Sequence, residues 1–228
     1  MKRLLFFSII TAFLCGCNPA GNKGQDSVTD SIGVVSNDTI ALEVPDAPAQ
    51  EPVQEPPFTS PDLKFFRIQG RVKQIVEKWK ADDGSSGSET YNFDRQGRWT
   101  PDKQTKIKRN SKGQIINMEC PYDDYRTDNY EYKYNQDGYV CYENLCWDID
   151  PQITKYSLNE NGWPVSAKVE YRDDFDRTLI GYGTEHYTYL EIDKYGNWTR
   201  CQMKAKGGWQ DEKYAYTITT TRKITYWK

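Results

Sequence analysis

Four cysteines in the second half of the chain carry the side chains best suited to covalent or metal chemistry. They are Cys120, Cys141, Cys146 and Cys201. Four thiols allow three disulfide connectivities, and sequence spacing does not choose among them. Zinc is the alternative, but no second close pair and no neighbouring histidine follow Cys141 and Cys146, and the Cys-x-x-Cys redox motif is absent. We therefore expect structural disulfides in an oxidising compartment, with no metal and no other cofactor.

Acid–base groups make a weak case for catalysis. The only histidine, His186, lies beside Tyr187, and no serine or cysteine nucleophile motif accompanies it. Two carboxylates from distant strands could hydrolyse a glycoside without any sequence signature, so that chemistry stays open. The acidic run Asp173-Asp174-Phe175-Asp176, with Asp148 and Asp150 elsewhere, lacks the order and the glycine of a calcium loop and indicates a solvated hairpin tip. We expect no enzyme activity.

Aromatic rings could instead bind sugars, because the faces of Trp and Tyr stack on sugar rings. All seven Trp and all seventeen Tyr follow residue 60. The candidates are Trp79, Trp99, Trp147, Trp163, Trp198 and Trp209. Trp147, Trp163 and Trp209 are expected at loop edges and are the best placed for exposure. The competing interpretation is that an aromatic-built core accounts for most of the rings.

The elements that position these residues are strands. In Tyr130-Glu131-Tyr132-Lys133-Tyr134 the rings alternate with charges, which puts three rings on one face of a sheet. The same alternation recurs over 187–189 and 214–218, and no convincing helical periodicity is present. Tyr, Trp, Val, Ile and Thr are abundant, and these residues favour half-buried pleated surfaces.

A turn motif of Asp or Asn, two variable residues and Gly separates the strands. Its five copies are Asp94–Gly97, Asn110–Gly113, Asn135–Gly138, Asn159–Gly162 and Asp193–Gly196. The first side chain bonds the backbone of the turn, and the glycine accepts a left-handed conformation. Each copy predicts a hairpin. The fold class is therefore all-β: an antiparallel meander of hairpins that forms a curved sheet or partly open barrel, after a disordered tether.

These units, of the form Tyr-x-apolar-Asp-x-x-Gly-x-Trp, resemble short and degenerate YD repeats of RHS-type proteins. The opening Gln69-Gly70-Arg71-Val72-Lys73 is similar to the first strands of small uncharacterised YD-repeat-like lipoproteins. The resemblance covers about residues 66–228 and implies the architecture but no activity. Asn in three of the five turns and uneven spacing depart from the coiled shell of large RHS proteins.

The N-terminus has the pattern of an export signal. Lys2 and Arg3 precede an apolar run over 4–14 that is too short to span a bilayer. Leu14-Cys15-Gly16-Cys17 resembles the lipobox of bacterial lipoproteins, which implies cleavage before Cys17 and lipidation of that residue. Two or three acyl chains would anchor the protein stably. The predicted organisation is a signal peptide over 1–16, a lipidated tether over 17–60 and a β domain over 61–228.

The tether is rich in proline and small polar residues and cannot bury a core. Ser27, Ser31 and Thr39 each follow an aspartate and precede an aliphatic residue. These sites look like the O-glycosylation sites of some Gram-negative bacteria, although acidic residues beside Ser and Thr are also common in tethers.

Charge excludes one class of partner. Of 30 Lys and Arg, three precede residue 61, and of 33 Asp and Glu, seven do, which leaves 27 against 26 in the β domain. A nucleic-acid-binding surface needs a strong basic excess, so we expect no nucleic acid. The expected function is a non-catalytic interaction or structural module, anchored to the bacterial outer membrane, with the periplasmic side favoured over the cell surface. Its partner is an envelope protein or a glycan, and a glycan-binding module is the alternative.

Overall fold

The structure is a computed structural model that describes residues 57–121, 127–146, 151–173, 175–209 and 212–228. One short helix, α1 (Pro61–Phe65), precedes eleven strands. The strands are β1 (Val72–Ala81), β2 (Ser86–Asn92), β3 (Lys106–Arg109), β4 (Ile115–Pro121), β5 (Thr127–Tyr134), β6 (Val140–Cys146), β7 (Gln152–Leu158), β8 (Pro164–Arg172), β9 (Leu179–Ile192), β10 (Trp198–Trp209) and β11 (Glu212–Tyr226).

The predicted all-β meander is confirmed. The eleven strands form one sheet in the order β2-β1-β11-β10-β9-β8-β7-β6-β5-β4-β3, and all its pairs are antiparallel. Strands β3 to β11 follow chain order in the sheet. Strand β1 pairs with β11, and β2 pairs with the other side of β1 and so forms the edge. Residues 93–105 therefore connect the two edge strands, β2 and β3. In the described residues no pairing joins these edges, so the sheet stays open and is not closed into a barrel.

The sheet curves around α1. One core cluster joins residues of β1 and β2, such as Ile75 and Tyr91, to residues of β4 to β8, such as Met118 and Tyr132. Strands at opposite ends of the sheet order can share a core only if the sheet bends. We call the face that carries this core the inner face and the opposite one the outer face.

The turn motif folds as predicted at the backbone level. In all five copies the glycine N–H donates to the carbonyl of the first residue, and the glycine φ lies between 72° and 85°. The first side chain also accepts a hydrogen bond from the backbone N–H four residues on, as Asp193 does from Asn197 at 2.9 Å. Four copies close the hairpins β3/β4, β5/β6, β7/β8 and β9/β10. The first copy is not a strand hairpin, because a single bridge between Phe93 and Trp99 closes it.

Helix α1 was not anticipated from periodicity, since five residues are too few to show it. Its start carries a recognisable signal, because the Ser60 hydroxyl caps the Leu63 N–H at 3.1 Å and Pro61 occupies the first turn. Asp62, which is buried, forms an ion pair with Arg109 of β3 and accepts the Trp99 N–H at 2.7 Å. The helix therefore ties an edge strand to the connection between the edges.

Candidate functional site

The inner face holds two buried cations, and the first is Arg222 of β11. Its Nε donates to Glu77 Oε2 at 2.7 Å, and both side chains are 2% exposed. Its Nη1 donates to the Phe66 carbonyl at 3.2 Å, and its guanidinium lies 3.6 Å from the centroid of the Trp198 ring. Arg222 thus joins β1, β10 and the segment after α1.

A second carboxyl lies next to this pair. Glu89 of the edge strand β2 stands directly opposite Glu77, and the Tyr91 hydroxyl donates to it. Burial raises the pKa of Glu89 to about 8, the Tyr91 hydrogen bond opposes that rise, and the Glu77 charge adds to it. Glu89 is therefore mainly protonated at neutral pH, which avoids two charged carboxylates in a directly opposed pair.

The second buried cation is Arg67, which follows α1 with a positive φ of 56°. The Arg67 N–H donates to the Lys64 carbonyl and the Ile68 N–H to the Leu63 carbonyl, a helix ending in which glycine is usual. The arginine side chain enters the core, where its guanidinium lies 4.8 Å from the Tyr156 ring centroid and its Nη2 is 3.4 Å from the Val140 carbonyl oxygen. The backbone strain is thus accompanied by placement of a cation inside the sheet.

Glu143 of β6 is the acidic neighbour of Arg67. It is 3% exposed, and burial raises its pKa well above the ordinary value while Arg67 acts in the opposite direction. Among the described residues, neither Glu143 Oε1 nor Arg67 Nε has a hydrogen-bond partner. The two side chains therefore interact by charge without satisfying all of each other's hydrogen-bonding atoms.

Five aromatic rings, four half-buried and Tyr171 buried, line the inner face of β1, β8, β10 and β11, mostly towards the C-terminal ends of β8 and β10. We call this group the aromatic end; its members are Trp79, Tyr171, Trp209, Tyr214 and Tyr216. Trp79, Tyr214 and Tyr216 pack on one small cluster formed by Ala81, Met203, Ala205 and Ile218. Tyr171 and Tyr214 are hydrogen-bonded, and the Tyr214 and Tyr216 rings stack at 5.7 Å.

Glycines allow these rings to lie flat on the backbone. A Cβ at Gly87 would approach Trp79 Nε1 to 2.6 Å, and a Cβ at Gly181 would approach Trp209 Cδ1 to 2.8 Å. Tyr214 occupies the same kind of space over Gly183 and Gly207. Side chains at these positions would displace the rings, so the glycines set the shape of the aromatic end.

A carboxyl lies beneath the aromatic end. Glu185 of β9 is 5% exposed and accepts a hydrogen bond from the Tyr187 hydroxyl. Burial raises its pKa, and its charge adds to the raised pKa of Tyr214 and Tyr216. Half-buried rings can stack on the apolar face of a sugar, and tyrosine hydroxyls can accept or donate a hydrogen bond at a sugar hydroxyl.

The tryptophans predicted to bind a ligand differ in their exposure. Trp163 is 5% exposed and packs with Trp198 and Cys201, so the prediction that it lies exposed at a loop edge is wrong. It is the first residue after its turn glycine, and the Tyr189 ring covers it at 4.8 Å. Trp209 is half-buried at the end of β10, and Trp147 lies outside the described residues. Trp79 packs on the same small cluster as Tyr214 and Tyr216, at the level of Thr220 and Cys201, and so lies eight β10 residues away from Trp209.

The cysteines do not form the predicted two-disulfide framework. Cys141 and Cys201 are free thiols, the first half-buried in β6 and the second buried in β10. Cys141 and Cys146 lie on one strand, about 17 Å apart at 3.4 Å per residue, which excludes a bond between them. Cys120 is buried on the inner face, whereas Cys146 is half-buried in β6. Burial raises the pKa of Cys201 to about 12, so its thiol is a core side chain.

Other predicted residues have no place in this site. His186 is exposed on the outer face of β9, and Asp173 accepts backbone hydrogen bonds at an exposed hairpin tip where Phe175 is 97% exposed. Cys17, Ser27, Ser31 and Thr39 lie outside the described residues, as does the tether as far as residue 56. Within the described part of the chain, no group of His, Cys, Asp and Glu is arranged to hold a metal ion.

Sequence reasoning missed the buried charges Arg67, Glu77, Glu143, Glu185 and Arg222. Strand alternation indicated an inward position for four of them, because Glu77 lies two residues from Ile75, Glu143 two from Leu145, Glu185 two from Tyr187 and Arg222 four from Ile218. Arg67 had no such signal, because it lies outside the strands.

Comparisons with known proteins add little. No protein-family model matches the chain, and no curated protein matches it. Among solved structures, a porin-like protein from Bacteroides uniformis ATCC 8492 is similar at 12% identity and a TM-score of 0.28, over 68% of this chain and 98% of that one. The described part of the chain contains no helix long and apolar enough to cross a membrane. Function must therefore be argued from the site itself.

Proposed function

We propose that this protein is a lipoprotein of the bacterial outer membrane whose β domain is a non-catalytic interaction module, facing the periplasm. The anchor rests on the short apolar run and the Cys17 lipobox. Two of the buried carboxyls already have partners, since Glu77 pairs with Arg222 and Glu185 accepts a hydrogen bond from Tyr187. The observation that carries an interaction function is the aromatic end, where half-buried rings lie on glycines at the end of an open sheet.

Lipidation predicts where the protein is found after cell fractionation. The wild-type chain is expected in the membrane fraction with lipid attached. Cys17→Ser is expected to carry no lipid, because the substitution removes the sulfur that is acylated. Labelling with a fatty acid that carries a clickable group measures the modification directly. Cys15→Ser is the matched control, since it removes a neighbouring thiol and should stay lipidated. Lipid label on the Cys17→Ser chain would contradict the anchor.

Glycan binding is the second candidate, and the geometry of the aromatic end favours it. We expect a saturable change in tryptophan fluorescence when residues 18–228 are titrated with one of a panel of plant, host and cell-wall glycans. Trp209→Ala and Trp79→Ala should each weaken that binding by about tenfold, the scale of one lost stacking contact.

Trp227→Ala is the matched control, because this half-buried ring lies beyond the other end of β11, beside Lys73 and Arg95. It should leave the affinity unchanged. No fluorescence response across the panel, or an equal loss of affinity in all three variants, would count against glycan binding. The partner would then be expected to be a protein.

A further inference from the structure

The outer face of the sheet carries a charge pattern that the near-neutral composition conceals. The acidic residues of β1, β10 and β11 are Glu77, which is buried on the inner face, and Glu212 at the start of β11. The same strands expose lysines on the outer face, which include Lys78, Lys80, Lys204, Lys206, Lys213 and Lys223. Cations therefore lie outside while the acid within this part of the sheet is buried.

Hydroxyls lie between these lysines in register. Thr219 of β11 is paired with Lys80 on one side and Gln202 on the other, and Thr217 is paired with Lys204. Adjacent strands are about 4.8 Å apart, so the lysines of β1 and those of β10 form two rows about 9.6 Å from each other, with the β11 threonines between them. We call this surface the lysine–threonine face, made of Lys78, Lys80, Lys204, Lys206, Thr217 and Thr219.

Carboxylates lie only at the borders of the lysine–threonine face, within the described part of the chain. Asp82 Oδ2 accepts the Thr217 N–H at 2.8 Å, and Glu191 pairs with Arg200 at 3.3 Å. None of the four lysines of the face has an ion pair among those that the structure records with Asp or Glu. Their charges are therefore available to a partner.

The charges and hydroxyls of the lysine–threonine face indicate the chemical class of its partner. Evenly distributed ammonium groups with interleaved hydroxyls suit a repeating anion that also carries hydroxyls. The six residues of the face include no aromatic ring and no apolar side chain for insertion into a bilayer. One exposed ring, Tyr182 of β9, lies beside the face, opposite Gly208. We infer that the lysine–threonine face binds an acidic polysaccharide. This inference deepens the proposed interaction module and rests on it, but it does not depend on the aromatic end.

Binding can be measured on residues 18–228, which lack the signal peptide and the lipidated cysteine, with polygalacturonate and dextran sulfate as probes and uncharged dextran as the control polymer. We expect saturable binding to the acidic polymers, no binding to dextran, and an affinity that falls as salt screens the charges. Replacing Lys78, Lys80, Lys204 and Lys206 with glutamine should weaken binding by at least about tenfold.

A charge-matched variant distinguishes binding at the lysine–threonine face from non-specific attraction due to net charge. Replacing Lys103, Lys108, Lys112 and Lys194 with glutamine removes the same number of exposed cations from other surfaces and should change the affinity by less than about twofold. Equal loss in both variants would overturn the inference. So would lack of binding to either acidic polymer, or tighter binding to anionic phospholipid vesicles or to DNA with the same sensitivity to the lysine–threonine substitutions.

Failure of this inference is distinguishable from failure of the proposed function. If the chain does not bind acidic polymers but still binds a neutral glycan through Trp79 and Trp209, the proposed interaction function stands. Only the proposal about the lysine–threonine face is then rejected. Far-ultraviolet circular dichroism on each variant establishes that the sheet is intact, which is expected because all eight lysines are exposed.

Discussion

Replacing Arg222 with methionine is expected to lower the free energy of unfolding by about 3 to 5 kcal/mol, because a buried carboxyl then loses its cation. Glu77 is 2% exposed and stands directly opposite Arg222 in the sheet register. The substitution also removes a hydrogen bond to the Phe66 carbonyl and the cation above the Trp198 ring. Denaturant unfolding of residues 18–228, followed by tryptophan fluorescence, measures the change.

The loss should depend on pH in a defined direction. Burial raises the pKa of Glu77, while the Arg222 charge and hydrogen bond oppose that rise, so the variant has a still higher Glu77 pKa. A carboxyl whose pKa is higher in the folded than in the unfolded state stabilises fully below the unfolded value of 4.5, and loses that contribution as pH rises through the folded value. Arg222→Met should therefore destabilise more at pH 9 than at pH 5.

Two further variants test the cause. Arg222→Met combined with Glu77→Gln should regain a large part of the loss, because no charge is left buried. Arg200→Met removes the cation of an exposed pair with Glu191 and should change stability by less than about 1 kcal/mol. A loss that is the same at both pH values and is not relieved by Glu77→Gln would show that packing, not charge, explains the effect.

Replacing Arg67 with alanine should cost about 3 kcal/mol, because Glu143 loses the cation that lowers its pKa. Arg67→Gly should cost about 1 kcal/mol less than Arg67→Ala, because only glycine adopts the positive φ of this position without strain. Chemical unfolding of the two variants separates the charge effect, which both share, from the backbone effect, which only alanine shows.

Arg177 provides the matched control for Arg67. Its φ is 60°, but it is exposed at the tip between β8 and β9. Arg177→Gly should again be more stable than Arg177→Ala by about 1 kcal/mol, while neither variant shows the large shared loss. If Arg67→Ala and Arg177→Ala proved equally mild, Arg67 would have no role in stabilising the buried acid.

Several features of the fold followed from local sequence because their causes are local. Alternation at Tyr130, Tyr132 and Tyr134 specified which ring faces the core, since successive strand residues point to opposite faces. The five Asp or Asn and Gly turns specified reversals, because the side chain and the glycine satisfy the turn within five residues. The turn at Asp94–Gly97 also forms, but the prediction that it joins two paired strands is wrong, because this copy lies in the connection between the two sheet edges.

Trp163 shows why the exposure of a given ring was not predictable. Its position after a turn resembles a loop edge, but Tyr189 from the next strand and Trp198 and Cys201 from β10 enclose it. The cysteines show the same limit, since strand geometry, and not their number, determines which sulfurs can meet. Both outcomes depend on residues far apart in the chain.

The strand-rich character of the domain, its turns and the inward or outward position of each alternating residue can be predicted from the sequence, because they depend on neighbours in the chain. The pairing of β1 with β11 could not be predicted in this way, since that contact joins the two ends of the domain and depends on the folded sheet. The same pairing brings Glu77 to Arg222 and places Lys78 and Lys80 beside the β11 threonines. Charges that balance in composition are separated in space because the curved sheet has an inside and an outside.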